Sequence, residues 1–179
     1  MKRQAGGNPM GMLGCALVYV GFVLFINALM LYGKLTPKHI IPMNLFTGIL
    51  IFGGVMRTVF LQGEGLTPYF YGMQSLLFAF TYLWVAINSI WNLEGEGLGW
   101  YCLLVAIVAT PTAFTALPDI GLFVLWLMWA ILWLMFFLAL GLKKDMGKSV
   151  AHWTMVNAIV TGVSGYLILI KVWPWLPKS

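Results

Sequence analysis

Ile120-Gly-Leu-Phe-Val-Leu-Trp126-Leu-Met-Trp129-Ala-Ile-Leu-Trp133-Leu-Met-Phe-Phe-Leu-Ala-Leu-Gly-Leu142 is one uncharged stretch, bounded by Asp119 and Lys143. About 20 apolar residues make a helix long enough to cross a hydrocarbon core of about 30 Å. In lipid the backbone must satisfy its own hydrogen bonds, which leaves a helix or a closed barrel. This stretch shows no alternation of apolar and polar residues and is too long for a barrel strand. It reads as a transmembrane helix.

The same reading extends outward. Five more uncharged windows cover 4–33, 39–56, 65–93, 97–118 and 149–170. Together they predict an all-α integral membrane protein, a bundle of six transmembrane helices near 12–32, 43–61, 70–92, 99–118, 119–142 and 150–173. We expect a single six-helix domain over 10–179, preceded by a flexible extension over 1–9. Lys2 and Arg3 before an apolar run suggest a signal peptide. The run is longer than a typical signal core, however, and no small-x-small cleavage site follows it. Charged residues make up 8% of the 179 residues, against roughly 25% in soluble domains. Mean hydropathy is +0.93. A soluble enzyme, a disordered tail and a disulfide scaffold are excluded. The net charge of +5 comes from scattered basic residues, which is not the striped pattern of a nucleic-acid binder.

Short Gly- and Pro-punctuated segments join the windows. The first, third and fifth connections carry Lys34, Lys38, Lys143, Lys144 and Lys148, whereas the second and fourth carry only Arg57. The positive-inside rule then places the odd connections in the cytoplasm and both termini outside. Lys2, Arg3, Lys171 and Lys178 on the tails pull against that assignment.

Few residues could carry chemistry at depth. No acidic or basic side chain lies mid-helix, and such charges mark ion-coupled pumps and proton relays. A neutral solute moving without ion coupling fits better. His39 and His152 read as ordinary interfacial histidines, and Cys15 and Cys102 as small apolar fillers. No spacing suggests a metal, a cofactor or a nucleophile–base pair.

What remains is aromatic and amide-bearing. Trp126, Trp129 and Trp133 stand at i, i+3 and i+7, on one face of the fifth helix. That stripe is either lipid-facing packing or the wall of a flat slot. In the second case a planar polar molecule would slide between indole faces and receive indole N–H hydrogen bonds. Phe78 and Tyr82 are i, i+4 partners on the third helix. Asn27, Asn44, Asn88 and Asn157 each read more safely as interhelical glue than as a site. Pro111 should kink the fourth helix, with Thr110 and Thr112 compensating. Gly48, Gly53, Gly54, Gly162 and Gly165 allow close helix contacts. A faint echo links Asn44-Leu-Phe-Thr47-Gly48 with Asn157-Ala-Ile-Val-Thr161-Gly162, as if one hairpin were used three times.

Four segments in order carry a resemblance. They are Leu13-Gly-Cys-Ala-Leu-Val-Tyr-Val-Gly21, Leu76-Leu-Phe-Ala-Phe-Thr-Tyr-Leu-Trp-Val-Ala-Ile-Asn88, Gly99-Trp-Tyr-Cys-Leu-Leu-Val-Ala106 and Leu125-Trp-Leu-Met-Trp-Ala-Ile-Leu-Trp133. From about Met12 to Trp173 the chain resembles the AmiS/UreI family of bacterial urea channels and short-chain amide transporters. The resemblance implies a six-helix protomer of the cytoplasmic membrane with its own pore, both termini outside, and a ring of six protomers. The pore-lining positions it implies are Leu17, Val20, Leu24, Phe78, Tyr82, Trp126, Trp129, Leu132 and Trp133. Leu17, Val20 and Leu24 are at i, i+3 and i+7, so periodicity independently permits one face. Asn157 is the tenth implied position, where the acid-activated member has a glutamate. That member also has histidines on long external loops, and none is found on the corresponding segments here. A pore open irrespective of external pH is expected.

The leading expectation is therefore a passive urea channel, extending to small amides. A transporter of acetamide-type amides serving an amidase is the alternative. A membrane scaffold docking a cytoplasmic urease or amidase on 143–149 is a reading from another class. A proton-coupled carrier and a membrane enzyme are disfavoured for want of intramembrane carboxylates and nucleophile–base pairs.

Overall fold

The computed structural model describes residues 9–62 and 65–175. The expected extension over 1–9 falls almost wholly outside them. Six helices follow one another: α1 Pro9–Leu31, α2 Pro37–Gln62, α3 Thr67–Trp91, α4 Glu96–Thr115, α5 Ile120–Phe136 and α6 Ser149–Leu169. A π-helical turn, Phe137–Gly141, continues α5. The protein is an all-α multi-pass membrane bundle. Among the described residues five helices, α1 to α5 with its π turn, are long and apolar enough to cross a membrane. α6 is more polar, because Thr154, Asn157, Thr161 and Ser164 are buried along it.

Each helix packs on the next in the chain, and α6 returns to α1, so the six form a closed ring. The tightest pairs are α1 with α6, α2 with α3, and α4 with α5. That departs from a hairpin repeated three times, in which α1–α2, α3–α4 and α5–α6 would be the close units. Glycine decides where backbones meet. A Cβ on Gly21 would overlap Gly162, one on Gly165 would overlap Val18 and Gly14, and one on Gly99 would overlap Gly141. These contacts draw α1 onto α6 and α4 onto the π turn, as small residues do in lipid. Of the other glycines singled out above, Gly48 abuts Leu83, whereas a methyl group on Gly53 would have nothing within 4 Å.

Several helix ends lie about three residues from expectation, and two differ more. α2 begins at Pro37, six residues before the expected start. Proline suits the first helical turn, where its missing N–H would have no partner. Pro42 then costs only one early backbone bond and does not end the helix. α6 stops at Leu169 instead of reaching 173. Lys171 adopts a left-handed φ of 62°. The Lys171 N–H donates to the Ile168 carbonyl at 3.1 Å and the Val172 N–H to that of Leu167 at 3.0 Å. That pairing is a Schellman termination with lysine in the position usually held by glycine.

α4 runs on through Pro111. Thr110 Oγ1 donates to the Ala106 carbonyl and Thr112 Oγ1 to that of Val108, on either side of the carbonyl that Pro111 frees. Asn27 and Asn44 exchange amide hydrogen bonds of 3.1 and 2.7 Å between α1 and α2. Here the glue reading of the asparagines holds. After α6 the chain crosses to the α4–α5 corner. There Asp119 accepts from the Leu122 N–H at 2.9 Å, capping α5, and from Trp173 Nε1 at 2.8 Å. The Trp173 ring meets Trp175 edge to face with centroids 4.8 Å apart.

Candidate functional site

The ring of helices surrounds a cavity of about 410 Å³. Its mouth is framed by Leu31, Pro37, Leu93, Gly95 and Leu140, at the end of the bundle that carries the odd connections. Tightly packed rings stand at its inner end. Phe78 from α3 stands edge to face with Trp129 and with Trp133 of α5, centroids 4.8 Å apart in both cases. Trp126 completes this cage, 5.8 Å from Phe78 and 5.2 Å from Trp129. Edge-to-face aromatic pairs contribute about 0.5–1.5 kcal/mol each beyond area burial, so the cage is a stiff element. The one-face spacing of the three tryptophans is thus realised on the inside of the bundle, and all three are buried. They do not face lipid.

Two indole N–H groups already have partners. Trp129 Nε1 donates to Thr161 Oγ1 of α6 at 2.9 Å, and Trp133 Nε1 to Thr81 Oγ1 of α3 at 3.2 Å. The expectation that these N–H groups would face a passing molecule does not hold for this pair, and only their ring faces are available. Nothing local in the sequence joins positions 52 residues apart, so periodicity could not find Thr81 as a partner.

Six of the ten implied positions, Leu24, Phe78, Tyr82, Trp129, Leu132 and Trp133, lie on the cavity wall. Leu17, Val20 and Trp126 are buried in the same core but are not on that wall. Asn157 is fully buried and also off the wall. Its Nδ2 donates to the Trp153 carbonyl at 2.9 Å, while its Oδ1 has no partner among the described residues.

The wall also holds polar groups that the sequence did not single out as a site. Asn27, Thr81, Asn88, Ser89 and Thr154 are on it, together with Cys102. Thr81, Ser89 and Thr154 donate to carbonyls one turn back, at 2.7, 2.9 and 2.7 Å. Asn88 Oδ1 is buried without a partner among the described residues. The available polar atoms of the site are therefore mostly acceptors, suited to a solute rich in N–H donors.

At the mouth Lys143 lies 2.9 Å from Glu96 and 3.9 Å from Glu94, tying the π turn to the α3–α4 connection. Hydrogen bonding to Glu96 and the two carboxylate charges raise the Lys143 pKa. Its positive charge therefore persists through neutral pH and is lost only as pH climbs beyond the usual lysine range. His39 Nδ1 accepts from the Thr36 N–H at the start of α2, and the His152 ring packs edge-on against Tyr32. Among the described residues no three His, Cys, Asp or Glu side chains come together as metal ligands.

A closed ring of apolar helices around an aromatic-ended chamber defines a membrane transporter or channel. The chain belongs to the AmiS/UreI family, whose transporter model matches residues 12–172. It is 44% identical over 167 residues to a putative amidate substrates transporter protein of Mycolicibacterium smegmatis, covering 89% of this chain and 78% of that one. It is 30% identical over 194 residues to the acid-activated urea channel of Helicobacter pylori (strain J99), covering 90% of this chain and all of the channel. The cryo-electron microscopy structure of the Helicobacter pylori urea channel in its closed state superposes with a TM-score of 0.81 at 30% identity. That match covers 90% of this chain and 99% of the channel.

Proposed function

We propose that this protein is a passive urea channel of the bacterial cytoplasmic membrane, conducting urea and small amides through each protomer. All six helices span the bilayer, the odd connections face the cytoplasm, both termini lie outside, and six protomers form a ring. The permeant enters the chamber, passes Leu24, Tyr82 and Leu132, and threads the cage of Phe78, Trp126, Trp129 and Trp133. Leu17 and Val20 line the far half, and Asn157 offers its free carbonyl from α6.

The observation that carries this reading is the cage at the end of a chamber with no ionised wall residue. A narrow aromatic slot cannot replace the water shell of an ion, so ions are refused, while a flat neutral diamide fits. Stopped-flow uptake into proteoliposomes tests it. Trp129→Ala and Tyr82→Phe should each change the urea permeability, the latter by about fivefold if one neutral hydrogen bond is lost. Wild-type behaviour in both variants would overturn the pore assignment.

A second reading, a carrier of acetamide-type amides, is favoured by the 44% identity to an amidate transporter. Acetamide offers half the N–H donors of urea. Parallel uptake of the two solutes decides which is the main permeant.

A further inference from the structure

We infer that Thr81 and Thr161 are positioning residues that pin two of the four cage rings and so fix the shape of the slot. This rests on the channel reading above and adds to it the part of the site that sets selectivity.

The bonding is directional. Indole nitrogen is a donor only, so Trp133 and Trp129 must each give their proton to the threonine oxygen they meet. Thr81 Oγ1 sends its own proton 2.7 Å to the Leu77 carbonyl, which leaves its lone pairs for Trp133 Nε1 at 3.2 Å. The Leu77 carbonyl also accepts from the Tyr101 hydroxyl of α4 at 3.2 Å, so the anchor is held from a second helix. Thr161 has no solvent exposure and meets Trp129 Nε1 at 2.9 Å. Breaking the bond leaves the indole N–H without its protein partner in a buried setting.

The two anchors lie on different helices, α3 and α6, while both indoles belong to α5. Each ring is thus fixed across an interface, where its own helix would let χ2 turn. Phe78 has no polar handle, and Trp126 Nε1 has no hydrogen-bond partner among the described residues. The cage divides into two rings tethered by hydrogen bonds and two held by ring packing alone. The tethered pair keeps a fixed orientation on either side of Phe78, and passage requires the two untethered rings to yield. Discrimination by flatness follows, because rings that cannot tilt admit planar solutes and resist bulkier ones of the same polarity.

The experiment uses the full chain with indole-¹⁵N tryptophan, in detergent for spectra and in liposomes for flux. Thr161→Val and Thr81→Val keep the side-chain shape and remove the acceptor. Thr161→Ser and Thr81→Ser keep the acceptor. We expect each valine variant to shift and speed the hydrogen exchange of one indole N–H signal, assigned through Trp129→Phe or Trp133→Phe. We also expect the ratio of urea to glycerol permeability to fall by about fivefold, the factor one neutral hydrogen bond is worth. The serine variants should restore both. Unchanged indole signals or an unchanged ratio in both valine variants would overturn the proposal. If a valine variant does not fold, the serine variant and the slow exchange of the wild-type signals still decide, since rapid exchange of both would sink it. A wild-type protein that carries neither urea nor amide would sink the channel reading alone, with the tether judged on the indole signals.

Discussion

Asn27 and Asn44 show how a single side chain is valued in this bundle. Each amide is buried and meets its partner on the neighbouring helix. Removing one leaves the other with unmet donors and acceptors in an apolar setting, which costs more than the pair contributes. Asn27→Val should destabilise the protein by about 1–2 kcal/mol, near the upper limit for polar pairs in membranes. The double variant with Asn44→Val should recover part of the loss, and unfolding in a graded denaturing detergent measures both. The sequence could place these amides near helix ends but not pair them. Asn88 and Asn157 look the same on paper, yet in the structure each keeps an oxygen with no partner among the described residues. The tryptophan face was legible because three positions on one helix share a period. The threonines that receive its protons were not, because they come from other helices and obey no local rule.

Among the elements, helix existence followed from the uncharged windows, and helix ends did not. Charge marks where a span must stop being lipid-exposed, whereas the actual end is set by backbone chemistry. Pro37 opens α2 early, and Lys171 in a left-handed conformation closes α6 early. Which helices touch most closely was also hidden, since glycines in open and crowded places read alike. The structure separates them. A leucine at position 21 would collide with the backbone of α6, so Gly21→Leu should abolish folding, seen as loss of the monodisperse peak in size-exclusion chromatography. Gly53→Ala, on an open face, should be neutral or raise stability by up to about 1 kcal/mol from helix propensity. Equal damage from the two would refute the packing scheme.

For the whole molecule, the ring order of six helices leaves one chamber open toward the odd connections and a cage at its inner end. Both histidines lie at the chamber end, on the α1–α2 side and at the start of α6. No histidine stands at the opposite end to titrate, since His39 and His152 are the only two in the chain. Urea flux should therefore stay level as external pH falls from about 7 to about 5, the range in which histidine changes charge. A several-fold rise in proteoliposome uptake over that range would contradict it. The chamber and the cage also act as two resistances in series. The chamber is wide, so its resistance is small, and the total is set almost wholly by the rings. Trimming a chamber residue such as Leu140 to alanine should leave urea permeability unchanged, whereas Phe78→Ala should pass its full effect to the measured rate. The protein would thus tolerate drift in its larger compartment while its throughput is governed by a handful of atoms.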